Sequence, residues 1–280
     1  MAKKDIVYIN LSNEEINGAF ITKYMPLEFA LKTLKEKSLW VSNPSEWTDP
    51  FEKRFLENKW ETSNKYNTPH HPWKNRVYCC CFSNQTISEA HWLIYARGQI
   101  GISFRFNFSA LLKELGRHTD KYDIYIGKVK YLPTEKTITP LAEIDFTESK
   151  YGDEKFLAEL FLLKRNAFEY ENEIRIIFVE KEKPKINPES TNKKKKPGIS
   201  IKLSNFQNII KRITIDPSVG KRTEYMLKTW LKDSLGSYPQ ELKTTEHVLR
   251  STIYRNAKAN KPIKIYGSSE LSESNKTKQS

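Results

Sequence analysis

Two periods of apolar residues divide this chain. Alternation marks strands, whose successive side chains point to opposite faces, and apolar spacings of three and four mark helices. Alternation or short apolar runs predict strands at Ile6–Ile9, Leu39–Ser42, Val77–Phe82, Gln99–Phe106, Tyr122–Tyr131, Ile174–Val179, Ile199–Leu203, Ile209–Ile215 and Val248–Tyr254. Helical spacing predicts a helix over Pro26–Lys37, where Leu27, Ala30, Leu31 and Leu34 form one stripe and Pro26 suits the first turn. Further helices are predicted from a Ser88 cap through Ala96 to near Gly98, over Ser109–Leu115, over Glu154–Asn166 and over Thr223–Leu235. Asn43–Glu52 and Glu57–Lys74 show no period and read as loops. Helices and strands interleave irregularly, which favours an α+β fold with a central mixed, mostly antiparallel sheet flanked by helices. The expected organisation is one domain over residues 1–266, with an exposed Lys/Pro-rich connector at 181–198 and a disordered polar tail at 267–280.

Composition changes the picture mainly through charge. The chain has 280 residues, enough for a large core, and sets 47 Lys and Arg against 34 Asp and Glu for a formal charge of +13. That balance predicts an anionic partner such as nucleic acid or a phosphate-bearing small molecule, and does not by itself say which. The block Lys193–Lys196 reads as a solvated loop rather than a site. No apolar stretch approaches the ~18 residues of a membrane span, and no signal-type apolar segment follows Met1, so a cytoplasmic protein with no membrane partner is expected. The three cysteines are consecutive, Cys79-Cys80-Cys81. Neighbouring strand residues face opposite ways, so they cannot make a tetrahedral zinc site and read as small buried hydrophobes. No metal site and no Gly-rich phosphate loop is evident.

Candidate chemistry concentrates at Glu171-Asn172-Glu173-Ile174-Arg175. On a strand, Glu171, Glu173 and Arg175 would share one face while Ile174 and Ile176 point into a core. Two like charges on one face are unfavourable unless they meet cations, water or a ligand. A structural ion pair of Arg175 with a carboxylate is the alternative.

Four pieces, taken in order, carry a resemblance. Lys23-Tyr24 precedes a helix. Leu39-Trp40-Val41-Ser42-Asn43-Pro44 leads to Thr48-Asp49-Pro50-Phe51-Glu52. Cys81-Phe82-Ser83 precedes His91-Trp92-Leu93-Ile94-Tyr95-Ala96 and Gly101-Ile102, and Lys164 precedes Phe168-Glu169-Tyr170-Glu171-Asn172-Glu173-Ile174-Arg175. From about Lys23 to Ile215 this resembles a bacterial family known as domain of unknown function 2971. Thr48 stands where that family usually has Asn, and Phe168 where it usually has Trp.

The order of a polar residue on an early strand, a helix, a short strand, a Tyr-bearing helix and a Glu opening an apolar strand also resembles the ADP-ribosyltransferase plan, including its DNA-modifying toxins. That resemblance implies NAD as substrate. It makes Glu173 the carboxylate that binds a ribose hydroxyl and stabilises the oxocarbenium ion, and Glu171 the group that orients or deprotonates the acceptor. Lys23 or Tyr24 would hold NAD where the plan usually has His or Arg, and Trp92 or Tyr95 would stack on it. Trp92 and Tyr95 also fit helix packing, Asp49 and Glu52 fit a turn or a polar site wall, and Lys23 fits a salt bridge to Glu171 or Glu173. Lys164 and Arg175 complete the expected wall. The implied role is a toxin or antiviral defence effector acting on nucleic acid or an associated target, with a regulatory protein as a further expected partner. Two other readings compete: a non-catalytic nucleic-acid-binding module, and a magnesium-dependent nuclease using Asp49, Glu52, Glu171, Glu173 and Lys164.

Overall fold

The alternating segments assemble into one large sheet. The structure, a computed structural model, describes residues 6–57, 73–84, 88–96, 98–133, 153–181, 196–234 and 248–251. Its strands are β1 (Val7–Ile9), β2 (Phe20–Pro26), β3 (Ser38–Ser42), β4 (Val77–Ser83), β5 (Gly101–Asn107), β6 (Tyr122–Lys128), β7 (Lys130–Leu132), β8 (Leu163–Arg165), β9 (Glu173–Glu180), β10 (Gly198–Lys202), β11 (Ile210–Ile215) and β12 (Val248–Arg250). The helices are α1 (Asn13–Ile16), α2 (Leu27–Glu36), α3 (Pro50–Glu57), α4 (Glu89–Ala96), α5 (Phe108–Leu115), α6 (Glu154–Leu160), α7 (Phe206–Ile209) and α8 (Lys221–Ser234).

The main sheet runs β1-β6-β9-β4-β2-β5-β11-β12, with β3 branching from β4 and carrying β10. Pairing is antiparallel except for β1 with β6 and β11 with β12. This is the mixed, mostly antiparallel sheet with flanking helices that the pattern predicts. A separate parallel pair, β7 with β8, lies beside it.

Strand alternation sorts the core into two layers. Ile174, Ile176 and Phe178 of β9 join Phe82, Phe104, Phe106 and Ile213 in a cluster with Ala30, Leu34, Leu111 and Leu231 of the helices. Ile177 and Val179 of the same strand point the other way, to Phe55, Leu56, Leu157 and Leu160. Burial on both faces is why β9 reads as an apolar run once its charged start is passed. Gly101 lets α4 lie close against β5, since a Cβ there would meet Trp92 Cε3 at 2.9 Å.

Several local expectations are corrected. β2 escaped the pattern because Lys23 and Pro26 interrupt its apolar positions. The helix expected over Glu154–Asn166 ends at Leu160. The chain then forms β8, and a 3₁₀ turn over Asn166–Glu171. The expected strand Tyr122–Tyr131 is two strands, β6 and β7, divided at Val129. The loop expected over Asn43–Glu52 holds a 3₁₀ turn, Pro44–Glu46, whose Ser45 N–H is capped by Asn43, and the first turn of α3. Most of Glu57–Lys74, the connector from 182 to 195, the tail, and the ends of the last expected helix and strand lie outside the described residues. No helix among the described residues is long and apolar enough to cross a membrane.

Candidate active site

The sheet splits along one edge of β4. Cys79 pairs with Ser42 of β3 while Ser83 pairs with Thr22 of β2, so two different strands share that edge. Between them Lys23 Nζ donates to the Cys81 carbonyl at 3.2 Å, supplying the partner a continuous strand would have given. The split opens a cleft of about 860 Å³, in the upper part of the ~300–1,000 Å³ range of small-molecule sites. The cleft brings together Lys23, Tyr24, Asp49, Glu52, Tyr95, Lys164, Glu171, Glu173 and Arg175. It does not include Trp92, which is buried in an edge-on contact with Tyr24, their ring centroids 4.9 Å apart.

Glu171 reaches the cleft by a route other than strand alternation. It closes the 3₁₀ turn, and Asn172, left-handed at φ 42°, turns the chain so that β9 starts at Glu173. The shared strand face therefore holds for Glu173 and Arg175 and is corrected for Glu171. Both carboxyl groups nevertheless meet the same lysine: Lys164 Nζ lies 2.9 Å from Glu171 and 3.6 Å from Glu173. Arg175 donates through Nε to Glu173 at 2.8 Å, through Nη2 to both Glu173 and Glu52, and through Nη1 to the Phe161 carbonyl at 2.8 Å. Its guanidinium also lies over the Trp47 ring, 4.7 Å from the centroid. Each cation bridges two carboxylates, which answers the like-charge cost that the sequence raised.

Three carboxylates, Glu52, Glu171 and Glu173, thus share two cations, and the pair nearest the strand start divides unequally. Burial acts to raise the pKa of Glu173, but Arg175 and Lys164 outweigh it and hold the group at about 2. At Glu171 burial and the neighbouring Glu173 charge win over Lys164, and its pKa is raised. The two neighbouring carboxyl groups thus differ: Glu173 is held ionised, and Glu171 keeps its proton to higher pH than a free carboxyl group. The Tyr95 hydroxyl donates to Glu171, and burial together with both glutamates pushes that phenol up.

Neighbouring groups hold these residues in place. The Glu173 N–H donates to the Tyr131 hydroxyl at 2.9 Å, and a His91 ring nitrogen lies 3.3 Å from the Glu171 carbonyl. Asp49 Oδ1 accepts from the Phe51 N–H at 3.0 Å and from Arg165 at 3.1 Å, so a turn role and a place in the wall coexist. Asp49 Oδ2 and Arg165 Nε are buried without a partner among the described residues. Nothing in the sequence pattern marks Arg165, Trp47, Tyr131 and His91 as site residues. Arg165 follows Lys164 and Trp47 precedes the Thr48-Asp49 segment, but no spacing rule singled them out. Cys79 and Cys81 line the cleft while Cys80 faces the core, and burial pushes all three thiols up. Among the described residues, no group of three His, Cys, Asp or Glu is placed to hold a metal ion.

Residues 91–176 match the family model described as "Protein of unknown function (DUF2971)". The matched segment runs from α4 into β9 and so carries Tyr95, Lys164, Glu171, Glu173 and Arg175. No curated protein and no solved structure gives a significant match.

Proposed function

We propose that the cleft binds NAD and that the protein transfers ADP-ribose to a nucleic acid or a nucleic-acid-associated target, as a toxin or antiviral effector would. One observation supports this above the others. Lys23 from an early strand, Tyr95 from a helix and the Glu171–Glu173 pair at the head of a late strand converge on a single cleft. Its size and its aromatic lining, which includes Tyr24, Trp47, Tyr95 and Phe168, suit a dinucleotide with two flat rings. The unpartnered Asp49 oxygen and Arg165 Nε are polar atoms a ligand would satisfy.

In this reading the C1′–N bond to nicotinamide breaks, and its electron pair leaves with neutral nicotinamide. Glu173, held ionised by Arg175 and Lys164, faces the positive charge that develops on the ribose. The acceptor's lone pair forms the new bond at C1′, and its proton passes to Glu171, whose raised pKa suits a base. Tyr95 and Lys164 orient that base. Lys23 contributes a cation to the side of the cleft that would meet the pyrophosphate. No metal enters the scheme; Arg175 and Lys164 sit where bridging between the carboxylates is needed.

The test is incubation with NAD labelled in its adenylate half and separate additions of DNA, RNA and cell lysate. Labelled acceptor is expected with one of them. No label on any acceptor, from protein shown to be folded, would end the transferase reading.

A further inference from the structure

The face of the sheet that carries Glu173 extends beyond α4 to β5, β11 and β12, and there it changes character. Register places Thr22 opposite Arg105 and Arg105 opposite Arg212, while the next row runs Tyr24, Ser103 and Thr214. These residues line a second recess of about 50 Å³, room for a few waters or one tetrahedral oxyanion. Tyr24 lines both recesses; Tyr95 of α4 lines the first and Trp92 of the same helix lines the second. Tyr24 and α4 thus form the partition between them.

Like charges directly opposite each other on neighbouring strands are destabilising. Arg105 and Arg212 hold such a position with no carboxylate in ion-pair contact among the described residues, whereas Arg250, also on the recess, is tied to the Pro217 carbonyl and Glu224. The pair is ringed by the hydroxyls of Thr22, Ser103 and Thr214, and Trp92, 5% exposed, keeps its Nε1 without an acceptor among the described residues. Two guanidinium groups with no carboxylate beside them and an indole N–H without an acceptor, next to hydroxyls that can donate as well as accept, suit a phosphate, which offers only acceptors and which two guanidinium groups can clasp. We infer that this recess binds a backbone phosphate of a nucleic acid, held next to the main cleft across Tyr24. The formal charge of +13 favours a polyanion over a lone small anion. The inference goes beyond the transferase reading and does not depend on NAD chemistry, because its readout is binding alone.

The experiment titrates fluorescent single-stranded DNA and RNA with wild type, with Arg105→Gln/Arg212→Gln, and with the charge-matched control Lys113→Gln/Lys121→Gln, each at several salt concentrations. Both lysines of the control are exposed, Lys113 on a helix and Lys121 in a turn. Both arginine positions are at or near the surface, and thermal melts verify that the variants fold; single Arg105→Lys and Arg212→Lys variants serve if the double one does not. The expected result is at least tenfold weaker binding for the arginine variant, a salt slope smaller by about 1–2, and near-wild-type binding for the control. Inorganic phosphate should compete in the millimolar range. Equal losses in both double variants, unchanged binding in the arginine variant, or inorganic phosphate binding in the recess without any oligonucleotide binding would each overturn the inference.

Discussion

Lys23 Nζ donates to the carbonyl oxygen of Cys81 at 3.2 Å, across the point where β2 and β3 separate along β4. A side chain therefore completes a backbone pairing, and the split that forms the cleft is held by the residue that the transferase reading places on NAD. Structure and proposed function meet in one ammonium group.

Lys23→Met should affect both. It leaves the Cys81 carbonyl without its donor, at a cost of about 1–3 kcal/mol in a denaturant melt. If Lys23 also meets the pyrophosphate, KM for NAD rises more than kcat falls. A stability loss with unchanged KM would confine Lys23 to the structural role.

Arg175→Met removes the cation that bridges Glu52 and Glu173 inside the protein. Loss of one partner from a buried pair typically costs about 3–5 kcal/mol. Urea melts should show it, and Glu52→Gln in the same background should recover part, since one uncompensated charge goes with it. Full stability in Arg175→Met would contradict the described network.

The two glutamates respond to pH in opposite ways. The pKa of Glu173 is lowered from 4.5 to about 2, so its stabilisation is present above 4.5 and is lost as pH falls toward about 2. For Glu171 the pKa is raised, so the folded state holds its proton longer and this group subtracts stability as pH climbs above 4.5. Thermal melts across pH should show Glu173→Gln flattening the acid side of the wild-type curve and Glu171→Gln flattening its decline above 4.5.

Tyr95→Phe tests the base. The Tyr95 hydroxyl lowers the pKa of Glu171, so removing it raises that pKa further. The acid limb of the pH–rate profile should shift to higher pH while the limiting rate changes less than tenfold. An unmoved limb would mean that Glu171 is not the group whose ionisation controls the rate.

How much of this was legible in the sequence differs from residue to residue. The apolar run from Ile174 to Val179 announced β9 because both faces of that strand are buried, and a run of this kind needs no partner to be recognised. β2 was not legible in the apolar pattern, and only the transferase resemblance implied a strand around Lys23: that side chain faces the split rather than the core, and the pairing with β4 and β5 defines the strand. The spacing of Phe156, Leu157, Leu160, Phe161 and Leu163 continued a helical stripe past Leu160, but pairing with β7 claims Leu163–Arg165, and tertiary pairing overrides local period. Glu171 reached the cleft through a left-handed Asn172, a geometry that alternation cannot foresee. Arg165 and Trp47 depend on contacts between distant segments, and one sequence carries no signal of those.

The most direct test of the central claim is nicotinamide release from NAD by wild type and by Glu173→Gln, each verified as folded, with and without nucleic acid. Release by wild type that falls at least about a hundredfold in the variant, as expected when a group stabilising the transition-state charge is lost, is the predicted result. Equal release by both proteins, or none from wild type with any additive, would contradict it.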